Sequence, residues 1–328
     1  MKKIIIFEYL TSQQKQNTEN SLLDQGIKMV DRLSEYLASS KKVKEINILR
    51  NENIKVESKK KVNYLFINKK NSSFNVLKNF DSYEYDLILI APESKKIYEK
   101  TFVKLQSFKF NILNPSLSCI KKFSSKIKTS KFLKINKIPY VLSFENLKNL
   151  INKTEKYIVK PEYGAGSEKI IFCKSFQELE EQIKNINYKF LIQYFHETEI
   201  ASISVLFSKT QNLLISCNQQ IVKKKRNRYY QIGLNIGKFE NYRKEFQIIV
   251  NMISSQKLGL FGHVGIDLIR EDHIWKILEI NPRFTSSFCY LEMVYGKTMV
   301  ENIINFYLTG KMINKNNKIE VNNIKVLF

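Results

Sequence analysis

The sequence predicts an α/β front domain built on a parallel sheet, followed by two α+β units. Three observations carry this. Apolar runs of strand length alternate with amphipathic helical stretches through the first 135 residues, the signature of parallel strands joined by helical crossovers. Beyond Pro139 two further units follow, one with strands joined by a glycine turn and one with a strand pair joined by a polar turn. The third observation is an absence: no G-x-G-x-x-G follows the first strand, so the front sheet is not a dinucleotide fingerprint.

The front domain opens with residues 3–7 (K-I-I-I-F) as a buried strand rather than a signal peptide, because Glu8 ends the apolar run early. A helix follows over 21–39, with Leu23, Ile27, Val30, Leu33 and Leu37 on one face. Strands are expected at 46–49, 63–67 and 85–90, and helices at 94–106 and 116–135. The second unit, from near 123, has a strand at 157–161, a glycine turn, a strand at 169–173, a helix at 175–185 and a strand at 190–194. The third, from about 199, has strands at 201–207 and 213–217, a basic stretch at 223–230, a helix at 241–257, a strand pair over 264–281 and a helix from about 290 to 308. These divisions predict domains 1–122, 123–198 and 199–328.

Composition excludes some functions. No apolar run reaches the roughly 18–20 residues of a membrane span. The net charge is +23, but 47 lysines against seven arginines are scattered along the chain. A nucleic-acid surface would cluster its charge and favour arginine's forked donors, so no dedicated nucleic-acid partner is expected. Cys119, Cys173, Cys217 and Cys289 have no paired spacing, which fits free thiols in a reducing cytoplasm. The run K-K-K-R-N-R at 223–228 reads as a solvated loop or as a cap over an anionic ligand.

Residues 275–284 (W-K-I-L-E-I-N-P-R-F) form an apolar strand on which Glu279, Asn281 and Arg283 stand at alternate positions and so leave one face. Asp267 interrupts the strand before it. An odd-length loop between the two strands would set Asp267 opposite Ile277, with Glu279 diagonally beside it at about 7–8 Å. Val264, Ile266, Leu268, Ile274, Leu278 and Ile280 would then make a core face broken only by Lys276. Two carboxylates and an amide oxygen are hard donors of the kind Mg²⁺ takes together with water and phosphate, and an arginine two residues on would meet the phosphate. Taken alone, the row fits a surface ion-pair ladder equally well.

Residues 157–167 (Y-I-V-K-P-E-Y-G-A-G-S) end a strand at Lys160 and turn through Gly164, Ala165, Gly166 and Ser167. Glycine lets backbone N–H groups approach an anion, and lysine adds a point charge; an ordinary hairpin turn has the same look. Residues 190–202 (F-L-I-Q-Y-F-H-E-T-E-I-A-S) run from a buried strand into a polar segment. That segment could hold adenine through Tyr194 and Phe195 and a ribose through Glu199, or be a plain exit loop.

In this order — a lysine near 126, K-P-x-x-G-A-G-S, Q-Y-F-x-x-x-E, G-x-D and E-I-N-P-R — the motifs resemble the ATP-grasp superfamily over roughly 123–305. The resemblance implies a Rossmann-like pre-ATP-grasp domain followed by a two-subdomain ATP-grasp fold, with ATP and Mg²⁺ (or Mn²⁺) as cofactors. It places Lys126 and Lys160 on the phosphates and Gly164, Ala165, Gly166 and Ser167 over them. Gln193, Tyr194 and Phe195 would hold adenine, and Glu199 the ribose, with Glu197 the other candidate. Asp267, Glu279 and Asn281 would hold the metal; Arg283 and Lys160 would be the catalytic cations. The front domain is similar to that of the tyramine–glutamate ligase family of methanofuran biosynthesis. This implies ATP-dependent joining of a small-molecule carboxylate to an amine in cofactor biosynthesis, with Glu8 and Glu93 helping to hold the second substrate and a homodimer as a partner state found among relatives. Amino-acid or peptide ligation, carboxylation, and nucleic-acid binding are the alternatives.

Overall fold

The computed structural model describes residues 1–13, 20–166, 168–225, 228–312 and 321–328. Its front sheet has the order β3-β2-β1-β4-β5, all parallel, from β1 (Lys2–Glu8), β2 (Val43–Asn51), β3 (Val62–Ile67), β4 (Tyr85–Ile90) and β5 (Asn111–Ile112). Ile4, Ile5, Ile6 and Phe7 are wholly buried because both faces of β1 are covered. Helix α1 (Asn20–Ser39) covers one face; a short α2 (Ser73–Leu77) and α3 (Ile97–Gln106) serve the other. The parallel α/β front expected from the sequence is therefore present.

Two expected helices are broken. The 94–106 helix starts at Ile97, because Lys95 and Lys96 take positive φ. The 116–135 helix is α4 (Leu117–Phe123) and α5 (Lys126–Ile135), separated where Ser125 turns extended and caps α5 by accepting from the Lys128 N–H at 3.2 Å. The break sets Lys126 on the first turn of α5.

A four-stranded antiparallel sheet, order β6-β9-β7-β8, comes next: β6 (Ser143–Phe144), β7 (Tyr157–Pro161), β8 (Ile171–Cys173) and β9 (Phe190–Tyr194), with α6 (Phe176–Lys184) on one face. The last sheet is six-stranded, order β14-β13-β10-β11-β12-β15. Its members are β10 (Ile200–Phe207), β11 (Asn212–Lys225), β12 (Arg228–Ile236), β13 (Gly262–Glu271), β14 (Ile274–Asn281) and β15 (Ile324–Leu327), with helices α7 (Arg243–Ser254), α8 (Leu291–Tyr295) and α9 (Lys297–Thr309). The helix expected over 290–308 is divided at Gly296, where φ is +76°.

The basic stretch is not a loop. Lys223, Lys224 and Lys225 end β11 and Arg228 begins β12, a long hairpin; Arg226 and Asn227 lie outside the described residues. Lys224 Nζ sits 4.1 Å from the Phe172 ring centroid, and Tyr229 packs on Phe172 and Phe195 at 5.6 and 5.2 Å. The hairpin thus leans on the four-stranded sheet. Tyr230, Ile232, Leu234 and Ile236 carried the period-two signal for β12 that the charge run obscured.

Candidate active site

The acids come together by a different route from the one expected. The β13–β14 turn has two residues, Asp272 and His273, both at positive φ (52° and 63°), a type I′ hairpin turn. An even turn alone would place Asp267 and Glu279 on opposite faces. A register shift repairs this: Leu268 pairs with Ile277, but Asp267 pairs directly with Glu279. Leu278 is the extra residue of a bulge. Below it the parity reverses, so Trp275 and Ile277 enter the core while Ile274 is 54% exposed, and Leu278 lines the cleft beside Glu279. The expected core face was therefore wrong at Ile274 and Leu278. The Lys276 anomaly disappears, since Lys276 reaches Glu271 at 3.0 Å.

Asn281 Nδ2 donates to Asp267 Oδ2 at 3.3 Å and reaches Glu279 Oε1 at 3.5 Å. Lys126 Nζ bridges two walls: it lies 3.0 Å from Glu279 Oε2 and donates to the Gly164 carbonyl at 2.9 Å. Burial pushes the Asp267 carboxyl well above its usual range, and Glu279 opposite adds to this. Burial acts the same way on Glu279, but the Lys126 and Lys160 ammonium groups outweigh it and hold that carboxylate down. Burial also pulls Lys160 down to about 8; Lys126 adds to the fall, while Glu279 and Asp267 oppose it.

These groups face a cavity of about 350 Å³ between the two antiparallel sheets. Lys126, Lys160, Gly164, Ala165 and Gly166 lie on one side and Asp267, Glu279 and Leu278 on the other, with Gln193, Tyr194 and Phe195 at the end. Ser167 lies outside the described residues. Gln193 Nε2 is bonded to Ser143 Oγ at 2.9 Å. The Tyr194 hydroxyl accepts from the Asn152 N–H at 2.9 Å. The Phe195 N–H is spent on the Lys156 carbonyl at 2.8 Å, so the donor expected there for adenine is already used.

Glu199 is the clearest miss. It does not line the cavity, and its side chain points toward Arg270 at 3.8 Å. Glu197, two residues earlier, does line it, next to Tyr229. Residues 195–199 are irregular backbone between β9 and β10, so strand alternation does not govern them and no local pattern distinguished the two acids.

The glycine turn is held against the front domain. Ser94 Oγ accepts from the Ala165 N–H at 3.1 Å and donates to Glu168 Oε2 at 2.7 Å. Gly166 has φ +62°, and a Cβ there would fall 2.7 Å from Leu22 Cδ2. Ser94 and Glu168 had no motif to mark them. Arg283 is likewise tied across domains: Nε and Nη2 donate to Glu93 Oε1 and Oε2 at 2.8 and 2.9 Å. Glu93, expected to face substrate, instead orients Arg283. Tyr98 adds a bond to the Pro282 carbonyl at 2.9 Å.

A second cavity of about 110 Å³ adjoins the first, sharing Ala165, Gly166, Asp267 and Glu279 with it and extending between the front domain and Arg283.

A family model described as an ATP-grasp domain matches residues 123–287, half of the chain. The chain belongs to the ATP-grasp family. It is similar to the tyramine–L-glutamate ligase of Methanocaldococcus jannaschii, 25% identical over 293 residues covering 87% of this chain and 83% of the relative. Among solved structures it resembles an ATP-grasp superfamily protein from Archaeoglobus fulgidus (TM-score 0.72, 19% identity, 100% of this chain and 92% of that one). It also resembles an L-amino acid ligase from Bacillus licheniformis (TM-score 0.61, 14% identity, 94% and 74%). ATP-grasp membership makes the chain an ATP-dependent enzyme, and one similar solved structure, a biotin carboxylase domain from Hydrogenobacter thermophilus (TM-score 0.70, 13% identity, 98% of this chain and 72% of that one), is a complex with ADP and magnesium.

The residues present fit that pair. Among the described residues no three His, Cys, Asp or Glu side chains form a metal cluster. Asp267, Glu279 and Asn281 bring two carboxylates and an amide together, donors that would suit an ion keeping water and phosphate in its shell. Two facing acids, one pushed toward protonation, are a surplus of negative charge that a divalent cation would relieve. Burial and Lys126 pull Lys160 down against Glu279 and Asp267, and a phosphate placed beside it would support its charge.

Proposed function

We propose that this ATP-grasp protein is a carbon–nitrogen ligase that joins a small-molecule carboxylate to an amine through an acyl phosphate, in the manner of tyramine and glutamate. The observation that supports this best is the pair of adjoining cavities: one framed by the cations and glycine turn, the other opening past the acids to Arg283 and the front domain.

Asp267, Glu279 and Asn281 would hold magnesium, which supplies charge neutralisation for the transferred phosphoryl group. Lys126 and Lys160 hold the phosphates from one side. Glu197, rather than Glu199, takes the ribose hydroxyls. Arg283, fixed by Glu93, faces the oxygen that receives the phosphoryl group. The Ala165–Gly166 turn, latched on Ser94, shields the acyl phosphate from water. Four buried free cysteines fit a reducing cytoplasm, and among the described residues no helix is long and apolar enough to cross a membrane.

The test is an assay of purified protein with ATP, Mg²⁺ and a matrix of carboxylates and amines that includes L-glutamate and tyramine. Phosphate release should require both partners, and mass spectrometry should find the amide. ATP consumption that ignores the carboxylate, or none with any pair, would overturn the proposal.

A further inference from the structure

The second cavity contains a buried acid that nucleotide binding does not use. Glu8, at the end of β1, is 2% exposed and lines the cavity wall. Its Oε2 accepts from the Thr11 N–H at 2.6 Å. Among the described residues no Lys, Arg or His forms an ion pair with it; Arg50, whose charge reaches it, gives Nη2 to Asp31 at 2.7 Å. Buried charges are normally paired, so a carboxylate left this way on a cavity wall is a place for a cation.

The surroundings narrow which cation. Helix α1 passes so close that a Cβ at Gly26 would lie 3.0 Å from Glu8 Cδ and Oε2, so glycine keeps room for the acid. Leu10, Leu22, Met29 and Ile90 give the cavity an apolar side, and Gln25 with Ser286, bonded to each other, a neutral polar one. Among the described residues Arg283 is the only basic one lining the cavity, and Glu93 already holds it. The cavity therefore offers free negative charge and no free positive charge.

We infer that Glu8 is the ammonium receptor of the second cavity, binding the amine substrate as R–NH₃⁺ with its apolar body along α1 and taking one proton from it before attack. This rests on the ligase reading above. The neutral amine's lone pair forms the C–N bond to the acyl carbon. The C–O bond to phosphate breaks, phosphate leaves with that electron pair, and the second amine proton goes to it. Burial pushes the Glu8 carboxyl upward, against bonds from the Thr11 and Leu10 N–H groups, which makes it a better proton acceptor.

Hydroxylamine separates the two half-reactions, because it is uncharged at neutral pH and traps an acyl phosphate as a hydroxamate. Glu8→Gln should keep hydroxamate formation within about threefold of wild type. Amide formation from tyramine or phenethylamine should fall by about a hundredfold, the scale of losing one partner of a buried charge pair. Most of that loss should lie in the amine KM, and Glu8→Asp should recover part of it. Unchanged amide formation, or hydroxamate and amide falling together in a folded variant, would overturn the inference. A second measurement needs no variant: phenethylamine should raise the wild-type Tm and phenethyl alcohol should not, and equal shifts would contradict it. If wild type forms no hydroxamate with any carboxylate, the ligase reading itself fails, a result distinct from these.

Discussion

The four-stranded sheet carrying the glycine turn and the six-stranded sheet carrying the acids face each other across one cavity, but they are anchored differently. The first has its own small core: Phe144, Leu150, Tyr157, Val159, Cys173, Leu179 and Ile192. The second shares its core with the front domain. Ile4, Ile6, Val30 and Leu33 of the front pack in one cluster with Leu206, Ile215, Phe288 and Ile303, and Glu93 and Tyr98 add polar ties to the segment after β14. The acid wall and the front-domain side of the second cavity thus share one core. The phosphate wall has its separate core and meets the rest of the molecule through Ser94 on Ala165 and Glu168, Leu22 beneath Gly166, Lys126 between Glu279 and Gly164, residues 139–141 paired with Ile277 of β14, and the β11–β12 hairpin on Phe172 and Phe195. On the proposed function, such a cleft would hold Asp267, Glu279 and Asn281 in place and leave closure to the wall that carries the glycine turn.

Damage to the acid wall should harm chemistry more than folding. Glu279→Gln should lower turnover by at least about 10²–10³-fold, the scale of losing one preorganised charge at a phosphoryl-transfer site. Its Tm should fall, because Lys126 and Lys160 lose the buried carboxylate that pairs with them. Turnover near wild type would show that the ribbon acids are a structural pair and remove the contrast.

Damage to the separate wall should act on nucleotide binding and be smaller. Gly166→Ala places a side chain at φ +62° and presses on Leu22. The left-handed strain of roughly 1–2 kcal/mol disfavours the docked turn, so the ATP KM should rise roughly 5- to 30-fold with a smaller change in kcat. A kcat loss with ATP KM unchanged would mean that the turn belongs to the reacting centre and not to closure.

Much of the acid wall was legible because alternation along a strand is a strong code: Glu279, Asn281 and Arg283 two apart must share a face, and Asp267 joins them. What failed was register. The Asp272–His273 turn takes two positive φ angles without a glycine to announce it, and a bulge at Leu278 leaves no composition signal. Both errors cancelled for the acids and survived for Ile274, Leu278 and Trp275. The serine break before Lys126 was hidden in a continuous helical pattern, since Ser125 caps with its side chain and does not end the periodicity. Glu197 and Glu199 lie in irregular backbone between β9 and β10, where no periodicity tells which acid faces the cleft. The ties between domains, Glu93 to Arg283 and Ser94 to the glycine turn, join residues 190 and 71 apart in sequence, and no local pattern encodes such pairings.

The most direct test is a crystal structure with ADP and Mg²⁺. The ion should sit at about 2.0–2.1 Å from oxygens of Asp267, Glu279 and Asn281, with the diphosphate between that ion and Lys126, Lys160 and the Ala165–Gly166 turn. Nucleotide bound outside the cavity between the two antiparallel sheets, or an ion held away from the β13–β14 acids, would contradict the account.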